Sequence, residues 1–311
     1  MTIKWMVVLA SILVLSSCEM IHNYDKIQVP KMMKRGFDRI EVAQERTHRV
    51  CYAGEHGKPT LVLVHGYGAG VAQYAYMARL LRKDFRVIIP ELLHHGGSWT
   101  EENLSSIDDQ VEHVRILLDA AGVTQPVLLV GNSYGGIVST YFAEKYPERV
   151  QRLVIYDSPV NAYSSSYADS LAASFDLPAL RNILNPSTVY ENRVSLSLIF
   201  HSQPPIPNFL RKTMLVDRSN PYVVKQQTLL TYLENNESSM MAHRFQLPMS
   251  VHLCWGDEDL IIPMSTCRGI QQLYSIPDSR VFIFRKAGHA ANVEYPHRFA
   301  RYLKGFLKDL K

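Results

Sequence analysis

Cysteine is scarce in this chain, at 4 in 311 residues, and charge of either sign is nearly balanced. So few cysteines exclude a disulfide-held scaffold, and a chain of this length buries enough apolar surface to hold itself together. The 33 basic and 29 acidic side chains are dispersed and leave a net charge of +4, too mild for a nucleic-acid face, so no nucleic-acid partner is expected. The small cluster Lys31, Lys34 and Arg35 reads as a solvated tether. There is no internal repeat and no low-complexity tract. The most apolar run near the start, Met6 to Leu15, falls well short of the ~20 residues a membrane-spanning helix needs. What remains, 47% hydrophobic and 20% charged, is the balance of a globular core.

That N-terminal run follows Lys4 and ends in Leu15-Ser16-Ser17-Cys18. Its length suits the apolar region of a signal peptide. The ending resembles the lipobox of bacterial lipoproteins, where small residues precede a cysteine whose sulfur receives a diacylglycerol. The resemblance implies that residues 1–17 are removed and that Cys18 is lipidated. It also implies a membrane-anchored lipoprotein of the bacterial cell envelope. Residues 18–36 then read as a tether. Of Cys51, Cys254 and Cys267, an exported protein could pair two, and the odd count leaves one free. Cys254 lies in an apolar run and reads as a small core residue.

Short apolar runs with strand character follow: Arg39 to Val42, Arg49 to Ala53, Leu61 to Val64, Val87 to Ile89, Val127 to Val130 and Leu153 to Tyr156. After a gap come Val251 to Trp255 and Val281 to Phe284. Most of the later runs are continuous in Val, Ile and Leu, as in parallel strands buried on both faces. Helical spacing separates them. Ser106, with Asp109 three residues on, is a start signal; Ile107, Val111, Val114, Leu117 and Leu118 form a stripe, and Gly122 is a stop. Pro296 opens a last helix with Phe299, Leu303, Phe306, Leu307 and Leu310 on one face. Alternation of this kind predicts an α/β fold, a mostly parallel twisted sheet with helices on both faces. The stretch 160–247 breaks the rhythm. It carries Tyr163, Tyr167, Tyr190, Tyr222 and Pro204-Pro205-Ile206-Pro207 without a clear buried strand, and reads as a helical cap inserted in the core. The core is then 37–159 and 248–311.

The chemistry-bearing signal is Gly131-Asn132-Ser133-Tyr134-Gly135, between the run Val127 to Val130 and a helical stretch, Ile137 to Lys145. A tight strand-to-helix turn pushes its central side chain out and needs glycine on either side. Serine is a poor nucleophile without a base. His289, in Ala287-Gly288-His289, lies just past the run Val281 to Phe284. A carboxylate must fix its tautomer. Asp259, third after Gly256, is the choice; Asp257 and Glu258 read as solvated turn residues. Nucleophile, acid and base fall in the order Ser133, Asp259, His289. The glycine-rich turn His65-Gly66-Tyr67-Gly68-Ala69-Gly70 is a candidate oxyanion hole, with the Tyr67 and Tyr134 amides as donors. His65 reads as structural, packed beneath that turn. No Gly-Lys-Ser/Thr pattern follows, which argues against a phosphate loop.

With these residues assembled, Gly54 to Leu310 resembles the α/β-hydrolase superfamily, most closely its lid-bearing esterase, lipase and carbon–carbon bond hydrolase branch. The resemblance implies a serine hydrolase acting through an acyl-enzyme on a fairly apolar carboxylic ester, a small-molecule substrate. Thioester or carbon–carbon cleavage on the same triad, and a non-catalytic adaptor on the same scaffold, stay open. No cofactor is implied. Asp157 is a second position for the acid, because some relatives place it there. The family's D-x-x-G-x-G-x-S turn is altered here to Glu91-Leu92-Leu93-His94-His95-Gly96-Gly97-Ser98, with His94 in place of the first glycine. Adjacent His94 and His95 point different ways and have no evident third partner, so no metal is expected.

Overall fold

The computed structural model describes residues 29–162, 164–203 and 205–306. Cys18 and the signal segment, most of the tether, Tyr163, Pro204, Leu307 and Leu310 lie outside the described residues. Among the described residues, no helix is long and apolar enough to cross a membrane.

One sheet organises the chain. Its strands are β1 (Phe37–Gln44), β2 (Thr47–Gly54), β3 (Thr60–Val64), β4 (Arg86–Pro90), β5 (Trp99–Thr100), β6 (Val127–Asn132), β7 (Val150–Tyr156), β8 (Ser250–Gly256) and β9 (Val281–Phe284). The order is β1-β2-β4-β3-β6-β7-β8-β9, with β5 paired to β2. From β4 to β9 every neighbouring pair is parallel, whereas β1, β2 and β5 pair antiparallel. The antiparallel edge follows from a short hairpin: only Glu45 and Arg46 separate β1 from β2, too few for a crossover.

The continuous apolar strands are covered on both faces, as their sequence requires. On β3, Leu61 and Leu63 pack into one core with α1 (Ala72–Leu81) and α11 (Pro296–Gly305). Val62 and Val64 point the other way, toward α2 (Ile107–Ala120) and α3 (Tyr134–Lys145). All four are fully buried, so truncating Leu61 or Leu63 to alanine should cost about 2–5 kcal/mol. Helix α2 begins where its sequence says. The Asp109 amide donates to Ser106 Oγ at 3.1 Å, and the Ser106 amide donates to Asp109 Oδ2 at 2.9 Å. It stops before Gly122, which takes the left-handed φ of +67°.

Between β7 and β8 the described residues form five helices: α4 (Ser165–Ala173), α5 (Leu180–Leu184), α6 (Val189–Ile199), α7 (Asn208–Lys212) and α8 (Pro221–Ala242). After β8 come α9 (Met264–Leu273), β9 and the short α10 (Ala291–Glu294). Cys51, Cys254 and Cys267 are all free and buried, so the pairing entertained from the sequence does not form. Burial pushes the Cys51 and Cys267 thiols up to about 12.

Candidate active site

The turn after β6 is as sharp as the glycines foretell. Ser133 precedes the first residue of α3 with φ +52° and ψ −121°, and its side chain makes no capping bond. That backbone is strained for a residue with a Cβ and is held from several sides. The Ser133 amide donates to Tyr156 O at 3.0 Å, and its carbonyl accepts from Ser158 Oγ at 2.7 Å. Glycine is mandatory on each side because the backbones nearly touch. A Cβ on Gly131 would sit 2.3 Å from Gly135 O, and one on Gly135 2.3 Å from His65 O. The Tyr134 amide thus opens a helix, where N–H groups lack an intrahelical partner.

The β8 and β9 ends bring a carboxylate and an imidazole together. His289 Nδ1 lies 2.7 Å from Asp259 Oδ2. A carboxylate only accepts, so Nδ1 carries the proton and Nε2 is left as a base. Asp259 Oδ1 accepts the amides of Ile261 and Ile262 at 2.8 and 2.9 Å. The acid is therefore fixed in place and buried, while His289 keeps limited exposure. Asp257 is a half-buried turn residue that also accepts the Lys286 amide at 2.6 Å, tying the loop after β9. Glu258 is exposed, as anticipated.

Asp157 is fully buried and brings a carboxyl oxygen into a group with Asp259 and His289 whose ligand-type atoms lie within 4.8 Å of one another. Its Oδ1 accepts the Gly256 amide at 2.9 Å, and its Oδ2 has no partner. Burial, then the neighbouring Asp259 charge, holds it far above the usual carboxylate range. The group is a poor cation site, because Asp157 is held toward its neutral form and His289 Nδ1 is committed to Asp259.

The glycine-rich turn after β3 is held from beneath by imidazoles. His65 donates from Nδ1 to Gly66 O at 2.9 Å and accepts the Leu92 amide on Nε2 at 3.1 Å. His95 donates to Leu93 O at 2.9 Å and accepts the Gly68 amide at 3.0 Å. Both are fully buried, and burial lowers His65 to about 4 and His95 well below the ordinary value. His95 was set aside from sequence as one of an adjacent pair; its service to the turn carries no sequence signature beyond its place in the Glu91 to Ser98 segment. Glu91 replaces the usual aspartate there and accepts the Gly97 and Val71 amides at 2.6 and 3.4 Å. Burial lifts it to about 7. His94 takes the glycine position with a left-handed φ of +63°, anchored by an Nε2 contact to Leu104 O at 3.2 Å.

Gln73 and Asn132 were not anticipated as bridges. Gln73 Nε2 donates to Asn132 Oδ1 at 2.7 Å, and Gln73 Oε1 accepts the Gly66 amide at 3.1 Å. One side chain thus locks the turn after β3 to the turn after β6. Ser133, His289, Tyr67 and Tyr134 line one cleft. The helical insertion closes it with Leu184, Ile199, Leu230, Leu233, Met240 and Met241. Asn185, from the same insertion, donates to the Tyr67 hydroxyl at 2.8 Å.

A parallel sheet with a serine on its strand-to-helix elbow, and an Asp–His pair opposite, defines the α/β class whose ligands bind at the strands' carboxyl ends. Residues 59–296 match the alpha/beta hydrolase fold family, and the chain belongs to it. Among its relatives is Lipase 1 of Psychrobacter immobilis, 26% identical over 262 residues that cover 82% of this chain and 78% of the relative. Another is the 2-hydroxy-6-oxo-2,4-heptadienoate hydrolase of Pseudomonas putida, 27% identical over 261 residues, covering 81% and 89%. A solved structure of a bacterial membrane phospholipase A superposes with a TM-score of 0.73 at 23% identity, over 91% of this chain and 90% of that one.

Proposed function

We propose that this protein is a serine hydrolase that cleaves a carboxylic ester of a fairly apolar substrate through an acyl-enzyme. The observation that carries this reading is the 2.7 Å His289–Asp259 bond in a cleft shared with Ser133. His289 Nε2 removes the Ser133 proton as Oγ attacks the carbonyl carbon. The resulting oxyanion is met by the Tyr67 and Tyr134 amides. His289 returns the proton to the departing alcohol, then activates the water that frees the acid and restores Ser133. Helices α4 to α8 act as a cap whose apolar side chains receive the acyl part.

The relatives include a lipase and a hydrolase named for a dienoate, which is an anion. The charge of the cleft favours the former. Its Arg181 gives Nη2 to both Glu234 oxygens at 2.9 and 3.1 Å, and Glu237 adds a further negative charge. A neutral ester avoids that repulsion. The same reading places the mature chain at a bacterial envelope, anchored by lipid on Cys18.

A fluorophosphonate probe and a panel of aryl esters graded in acyl length test the reading. Labelling that disappears in Ser133→Ala, with turnover of neutral esters above that of dienoates, is the expected result. Folded wild-type protein that takes no label would mark a binding protein on a hydrolase scaffold. Anchoring is checked separately by whether Cys18→Ala moves the protein from the membrane to the soluble fraction.

A further inference from the structure

Immediately after His289, the short helix α10 ends in Glu294, a buried carboxylate 8% exposed. Its Oε2 accepts the Gly288 amide at 2.7 Å. Its Oε1 accepts the Ser202 amide at 3.1 Å, with the His201 amide close to the same carboxylate. Gly288 adjoins His289, whereas His201 and Ser202 belong to the connection from α6 to α7 in the helical insertion. These two segments meet backbone to backbone. A Cβ on Gly288 would lie 2.5 Å from Ile199 O and 2.8 Å from the His201 amide nitrogen. Ile199 itself lines the cleft. The start of α10 is pinned independently to the core, since the Asn292 amide donates to Tyr156 Oη at 3.0 Å and Asn292 Nδ2 to Gln73 O at 3.1 Å.

From this geometry we infer that Glu294 is a positioning residue for His289, one carboxylate holding the base loop and the cap in a fixed register. The inference rests on His289 being the base proposed above. A charged acceptor shared by several backbone amides is a strong and directional tie. Losing it leaves the buried Gly288 N–H without a partner and releases the part-buried Ser202 N–H at the same time. His289 must stay placed to within about 0.5 Å for proton transfer, so a slack Gly288 is felt at Nε2. The groups facing Glu294 are His201 from the cap connection, Asp157 from the end of β7 and Tyr295 beside it. Burial raises Glu294 above the usual carboxylate range, while the amides and the positive form of His201 pull it back toward the carboxylate.

Glu294→Gln keeps the shape but turns an NH₂ toward one of the amides. With active sites counted by fluorophosphonate burst, kcat on an aryl ester is expected to fall about 10²-fold, the scale of a 1 Å misplacement. KM should stay within twofold. A kcat per active site within twofold of wild type overturns the inference, as does a change confined to KM. Amide exchange in the wild-type protein reads the tie without any variant. Gly288 and Ser202 should be protected and should open together. Unprotected or independently exchanging amides overturn it. Absence of the burst in wild-type protein would instead overturn the Ser133 reading, and the exchange arm would still report on the tie itself.

Discussion

On one side of Ser133, buried imidazoles receive backbone amides alongside one carboxylate, Glu91; on the other, Asp259, Asp157 and Glu294 receive them. His65 and His95 hold the turn after β3 by accepting the Leu92 and Gly68 amides. Asp259, Asp157 and Glu294 hold the loops after β7, β8 and β9 by accepting the amides of Ile261, Gly256 and Gly288. A neutral imidazole can be buried without moving a charge out of water, which suits a turn proposed to offer amides to an oxyanion. A carboxylate is harder to bury, but it can steady a positive charge forming on His289. The two sides therefore differ in what breaks them.

The largest expected effect lies on the carboxylate side. Asp259→Asn should leave the fold intact and lower kcat about 10⁴-fold, because the amide favours the wrong imidazole tautomer. Asp257→Asn should cost far less, since that residue ties the Lys286 amide and does not touch His289. Kinetics on one ester decide; a harmless Asp259→Asn beside a crippling Asp157→Asn or Asp257→Asn would move the acid.

Acidification should break the imidazole side. Burial lowers His65 to about 4, and His113, which reaches from α2 to donate from Nε2 to Glu91 O at 2.7 Å, to about 3. A histidine depressed in this way stabilises the fold above its ordinary value near 6.5, and that contribution is lost as pH falls toward the folded value. For His65 the loss amounts to roughly 3 kcal/mol. Glu91, lifted to about 7, has the opposite sign: its contribution is full below about 4.5 and is lost as pH rises through 7. Denaturant midpoints across pH 4 to 8 should fall steeply on the acid side. Glu91→Gln should gain on the wild type between pH 5 and 8, and a constant difference across that range would refute its raised value.

The smallest contrast concerns left-handed residues on the two sides. Lys286, exposed at φ +58°, should gain about 1 kcal/mol on replacement by glycine. His94→Gly relieves similar strain but gives up the contact to Leu104 O, worth about 1 kcal/mol, so its melting temperature should barely move.

Much of this scaffold was legible because its signals are local. The run Val281 to Phe284 is β9 to the residue, and the Ser106/Asp109 pair forms both of its bonds. Strands β1 and β2 run longer than the expected Arg39 to Val42 and Arg49 to Ala53, since pairing with each other extends them through Asp38, Gln44, Thr47 and His48. The Asp259–His289 meeting was legible from chain order and loop position. Gln73, His95, Asp157 and Glu294 were not singled out for their roles. His95, Asp157 and, toward Ser202, Glu294 act on amides brought near by the sheet order and the insertion; Gln73 and Glu294 also reach back to Gly66 and Gly288, a local tie with no recurrent spacing to betray it.

The three buried thiols turn this scaffold into its own stopwatch. Cys51 sits in β2, Cys254 in β8 and Cys267 in α9, and none is accessible or easily ionised while the protein is closed. An alkylating reagent can therefore modify them only during excursions that expose them. Mass-resolved labelling of the native protein would then time the breathing of the antiparallel edge separately from that of the strand and helix beside the acid.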